Sequence, residues 1–184
     1  MRILNAKRLG AAGAAALLAF SSFAANAASD GTFGATSTGT VGISASVPSR
    51  VQISKLSDVA FTNQDPASAA SNAQNVCVYS NTATKGYNIK ATGSGASSAF
   101  TLANSTLTVP YTVEWAQTTG QTGGTALTTN VALTGQTSAA TTPGCTSGAA
   151  TTASLIVKMS SAALLTMQSS TSYTGTLTLV VAPE

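Results

Sequence analysis

Few side chains in this sequence could carry out chemistry. There is no histidine, which removes the imidazole base of a Ser-His-Asp or Cys-His apparatus. The carboxylates are Asp30, Asp58, Asp65, Glu114 and Glu184, and only Asp58 and Asp65 lie close in sequence. Both sit in loop-like surroundings, where acids cap turns or face water, so a paired-carboxylate hydrolase is not expected. Gly120-Gln-Thr-Gly-Gly124 lacks the Lys-Ser/Thr of a phosphate loop and reads as a turn. Cys77 and Cys145, with no histidine beside them, do not make a metal site. Asn104-Ser-Thr106 matches a glycosylation acceptor, a weak motif. No catalytic residue and no cofactor are expected. Trp115 could stack on a sugar, yet it shares an alternating face with Leu107, Val109, Tyr111 and Val113, which places it in a core.

Those residues must be positioned by a chain that begins with a targeting pattern. Arg2, Lys7 and Arg8 precede an alanine-rich apolar run that ends at Ala25-Asn26-Ala27. The run is too short for a spanning helix and fits a signal peptide over 1–27, cleaved after Ala27 or one residue later. The net charge of +3 then belongs to the precursor. Beyond the signal, Arg50, Lys55, Lys85, Lys90 and Lys158 balance the five acids. No basic stripe for nucleic acid and no polybasic membrane patch remains. Two cysteines in an exported chain read as one disulfide, Cys77–Cys145.

The remainder is rich in Thr, Ser, Ala and Gly and poor in charge. Short alternating runs of Val, Leu, Ile and aromatic residues, divided by turn clusters, predict an all-β antiparallel sandwich. Strands are expected at 39–47, 51–56 (with 58–61 as an extension), 76–79, 87–92, 100–102, 107–115, 154–159 and 173–181, with a weak one in 126–133. Asn63–Asn75 reads as a loop or one short helical turn, Thr134–Ala150 as a loop, and Ala162–Leu165 as a helical turn. Pro110 belongs at an edge or bulge. Glu114, opposite the Trp115 face, either meets solvent or pairs with a lysine.

The two ends stand out. Gly31–Pro48 carries no charge, and Gly39, Val41, Ile43, Ala45 and Val47 alternate with small polar residues. Seven residues from Val41 to Val47 span about 23 Å, one sandwich edge. Such a strand either pairs within its own domain or is lent to a groove in a neighbour.

The order of these features resembles chaperone–usher pilins, nearest to alpha-type fimbrial major subunits and spore coat protein U domains. Gly39-Thr-Val-Gly-Ile-Ser-Ala-Ser-Val-Pro48 with Val51-Gln-Ile-Ser54, Val109-Pro-Tyr-Thr-Val-Glu-Trp115, and Ser172-Tyr-Thr-Gly-Thr-Leu-Thr-Leu-Val-Val181 carry the likeness. The resemblance implies an incomplete immunoglobulin-like sandwich over 49–184, completed by donor-strand exchange from a 28–48 extension. It implies Gly39, Val41, Ile43, Ala45 and Val47 as donor residues, and Trp115, Tyr173, Leu177, Leu179 and Val181 as core or acceptor-groove residues. The implied partners are copies of the same chain, a periplasmic chaperone and an outer-membrane usher. The implied location is a surface fimbrium serving adhesion or biofilm formation. The position of the cysteine pair departs from that family. A secreted monomeric carbohydrate-binding sandwich, or a tip adhesin, is the alternative.

Overall fold

A computed structural model describes residues 27–184. The expected signal segment, Ala27 apart, lies outside the described residues. The chain divides into Met1–Ser46 and Val47–Glu184.

In the first unit, Ser29 and Thr40 form an isolated antiparallel bridge. Ser29 N–H donates to Thr40 O at 3.0 Å and Thr40 N–H to Ser29 O at 2.9 Å. Residues 41–50 form no strand, against the expectation of a ladder over 39–47. Alternation supplies a face, but a strand also needs a neighbour's main chain. Val41 and Ile43 are left 78% and 93% exposed.

The second unit is all-β, with antiparallel sheets. Its strands are β1 (Val51–Ser54), β2 (Ala70–Ser80), β3 (Gly86–Gly93), β4 (Thr101–Asn104), β5 (Leu107–Pro110), β6 (Thr112–Ala116), β7 (Thr125–Ala126), β8 (Ala132–Thr137), β9 (Ala153–Met159) and β10 (Leu177–Pro183). They form one sheet in the order β1-β2-β9-β6-β7, a second in the order β10-β3-β8, and a β4-β5 hairpin. A single helical turn, α1 (Ser161–Leu164), follows β9 where Ala162-Ala-Leu predicts one. The Ser160 hydroxyl caps it, accepting from Ala163 N–H at 3.1 Å.

Inward faces build the core between the sheets. Val76 and Val78 from β2, Tyr87, Ile89 and Ala91 from β3, Val113 and Trp115 from β6, and Leu155 and Val157 from β9 are all buried. Alternation on β3 and β6 reads directly as in and out.

Several elements differ from expectation. Strand β2 begins at Ala70, inside the segment read as a loop. Its polar residues Asn72 and Gln74 pair in register with Val157 and Leu155 of β9, so apolar neighbours hold a stretch with little strand propensity of its own. The run 107–115 breaks at Tyr111, beside Pro110. There the chain leaves its pairing with β4 and joins β9. Strand β8 reaches Thr137, within the other expected loop. Gly135 adopts φ 70° where the register with β3 slips between Tyr87 and Ile89, a bulge that scrambles the alternation. The last strand starts at Leu177 rather than Tyr173, and Thr174 makes only a bridge to Ala103. Asp58–Phe61 does not extend β1.

Cys77 and Cys145 form the expected disulfide, with Cα atoms 5.9 Å apart and 68 residues of separation. Cys77 points to the outer side of β2. There it joins Ala140, Cys145 and Tyr79 in a second small apolar cluster under the 138–150 loop.

Candidate functional site

An open cleft of about 500 Å³ runs along β10. One wall is Gly175–Leu179, where Leu177 and Leu179 face in. The floor is Leu155 and Val157 of β9 with Gln74 of β2. Leu102 and Tyr111 close one side. The opposite wall is the irregular segment Leu56–Phe61 that follows β1.

The cleft exists because β10 lies at the rim of its sheet. It pairs with β3 on one side and, among the described residues, has no ladder partner on the other. The consequence shows in burial. On β3, the partners Ala91 and Ile89 are 0% exposed, whereas Leu179 and Val181 opposite them remain half-buried. An interior sandwich strand would seal its inward leucines.

The facing wall is set by β1. Its antiparallel pairing with β2 ends at Ser54 opposite Cys77. Lys55 then takes φ 62°, a left-handed conformation that L-residues adopt at a cost, and turns the chain out of the ladder. Val59 and Phe61 pack on the core from there. Ser57 is held by Gln74. Its N–H donates to Gln74 Oε1 at 2.8 Å, and Gln74 Nε2 donates to Ser57 O at 2.9 Å.

The residues that alternate in the leader are exposed: Gly39, Val41, Ile43 and Ala45, and then Val47 at the start of the second unit. The root of the leader is fixed within the second unit. Asn81 Oδ1 accepts from Arg50 N–H at 2.6 Å, and its Nδ2 donates to Pro48 O at 2.9 Å.

Of the expected core or groove residues, Leu177 and Leu179 line the cleft and Val181 packs on the core beside it. Trp115 is 1% exposed and Tyr173 9%, and neither lines the cleft. Trp115 Nε1–H donates to Tyr87 Oη at 3.1 Å. Burial pushes the Tyr87 hydroxyl up to about 12, although the Trp115 hydrogen bond pulls the other way. With Trp115 and Tyr87 both inside, neither offers an exposed ring to a sugar.

Glu114 meets a lysine. Lys158 Nζ reaches Glu114 Oε1 at 2.8 Å across the β6–β9 pair. Hydrogen bonding to that ammonium holds the Glu114 carboxyl below its ordinary value, against a smaller opposing effect of burial.

Leu56, Ser57, Val59, Phe61, Gln74, Leu102, Tyr111, Leu155 and Val157 belong to the cleft and escaped the sequence reading. The Val59/Phe61 alternation was the available signal for one wall. The floor has none, because its residues come from strands far apart in sequence.

No protein-family model and no curated protein matches the chain. Five solved chains do. One belongs to a chaperone–tip adhesin complex of CFA/I fimbriae biogenesis, with a TM-score of 0.50 and 17% identity over 73% of this chain. The match spans 42% of that chain, less than half its length. At this identity the likeness is one of fold.

Proposed function

We propose that the protein is a structural subunit of a surface fimbria, joined to its neighbours when the 41–47 leader of one copy enters the β10 cleft of the next. One observation carries the reading. The cleft is a slot beside a strand edge that is unpaired among the described residues, with Leu155 and Val157 on its floor, and the same chain carries an uncharged alternating segment that forms no ladder among those residues. A small apolar ligand would leave the β10 main chain unpaired, whereas an extended peptide would bond to it and seat alternate side chains on the floor. Burying Val41, Ile43 and Val47 would contribute roughly 1.5–3 kcal/mol each as an upper bound.

In this reading Val41, Ile43, Ala45 and Val47 face the acceptor, and Gly39 occupies its narrow end. The Asn81 anchor at Pro48–Arg50 fixes where the leader departs. A copy with its slot open would aggregate, so a chaperone in the exporting compartment covers it until an usher directs exchange. The fold shared with a chain of a fimbrial chaperone–adhesin complex supports a pilus-related role. The uncharged leader supports a shaft subunit over a monomeric binding module, which has no use for a free strand.

Ile43→Asp tests the proposal by placing a charge against the leucines and Val157 of the cleft. The variant is expected to be exported and folded yet to form no fibres under the electron microscope. Fibres of normal length from Ile43→Asp would overturn it.

A further inference from the structure

We infer that Gln74 is the positioning residue of the cleft: its side-chain amide clamps the segment Leu56–Thr62 as a strap that keeps the slot open at strand width before any strand arrives. The inference rests on the strand-uptake reading above and deepens it by naming what prepares the slot.

The strap has defined ends. Lys55 and Asn63 both adopt left-handed backbone, at φ 62° and 52°. Asparagine tolerates that region, while lysine is strained there. Lys55 Nζ donates to Ala150 O at 2.6 Å, which ties the strained corner to the loop behind β2.

An alternative arrangement is built into the same residues. Continuing the β1–β2 register three residues past Ser54 and Cys77 would set Ser57 opposite Gln74, main chain to main chain. The ladder would then run on along β2, and the strain at Lys55 would vanish. In the structure Ser57 bonds instead to the Gln74 side chain. Its Oε1 accepts from the Ser57 N–H at 2.8 Å and the Ser57 hydroxyl at 3.1 Å, and its Nε2 donates to Ser57 O at 2.9 Å. The amide thus offers one acceptor and one donor in the spacing of a backbone neighbour. It does so from the floor of the cleft, where Leu155 and Val157 are its companions. Gln74 is half-buried there, and both the oxygen and the nitrogen of its amide are used by Ser57.

Gln74→Met keeps the length and bulk of the side chain and removes both bonds. The acceptor is the full chain carrying Ile43→Asp, so that its own leader does not compete. The probe is a labelled synthetic peptide of residues 39–48, and two quantities are read: amide hydrogen exchange at Ser57 and the rate of peptide capture. Loss of the clamp is expected to speed Ser57 exchange and slow capture, each by about tenfold or more. Gln74→Glu, which keeps the acceptor and loses the donor, is expected to fall between and serves if the Met variant does not fold. Capture at the parental rate despite faster Ser57 exchange would overturn the clamp while leaving strand uptake intact, as would unchanged exchange. No capture by the parental acceptor would overturn the strand-uptake reading and the clamp with it.

Discussion

Trp115 and Tyr87 join the two sheets through a single hydrogen bond and an edge-to-face contact. The indole Nε1–H donates to the phenol oxygen at 3.1 Å, and the rings stand 6.4 Å apart at 85°. Trp115 comes from β6 of the larger sheet and Tyr87 from β3 of the smaller. Both are essentially inaccessible, so neither polar atom has water to turn to.

Tyr87→Phe deletes the acceptor and leaves the indole N–H buried without a partner. The expected loss is about 1–3 kcal/mol of unfolding free energy. A denaturant titration checks it, with an unchanged m-value showing that the fold is kept.

Alkaline pH should act through the same group. The unfolded chain loses the Tyr87 proton near 10, while the folded chain holds it to about 12. Between those values the unfolded state binds fewer protons, so stability falls as pH rises. Burial also raises the Tyr111 hydroxyl, which adds to the fall. Thermal melts from pH 9 to 12 should therefore drop more steeply for the parent than for Tyr87→Phe, which retains only the Tyr111 share.

Glu114 and Lys158 are partly exposed, so their bond should matter little. A double-mutant cycle with Glu114→Gln and Lys158→Met is expected to give a coupling within about 1 kcal/mol. Its sign follows from the lowered Glu114 value. The contribution is present above the unfolded carboxyl range and is lost as pH falls through the folded one. Added salt should reduce it.

Replacing Cys77 and Cys145 with serine opens the long loop between them. The expected cost is about 2–5 kcal/mol. The loss should concentrate in the cluster of Tyr79 and Ala140 behind β2. Limited proteolysis should then cut first within 138–150.

Much of the sandwich was legible because its core strands obey a simple period. Tyr87, Ile89 and Ala91 alternate without interruption, as do Val109, Tyr111, Val113 and Trp115, and they form the core as read, whereas Leu107, read on the same face, is 40% exposed in the β4-β5 hairpin. Legibility failed where the period was broken or borrowed. Gly135 inserts a bulge into β8, so its inward residues do not fall on every second position. Asn72 and Gln74 look like loop residues and become strand because β9 supplies partners. The disulfide was readable from two cysteines in a chain expected to be exported. The cleft was only half readable. Leu177 and Leu179 on β10 were named from the last strand, but Gln74, Leu155 and Val157 meet them only through sheet order. The Gln74–Ser57 clamp follows from a strained corner at Lys55, which no alternation pattern announces.

The account depends on the 41–47 segment and the free edge of β10 pairing between copies. Hydrogen exchange by mass spectrometry, on peptides covering 39–48 and 175–183 in dilute monomer and in assembled protein, tests this most directly. Both peptides should exchange freely in the monomer and gain protection together on assembly. Protection of 41–47 in the monomer, or assembly that leaves the β10 edge as exposed as before, would contradict it.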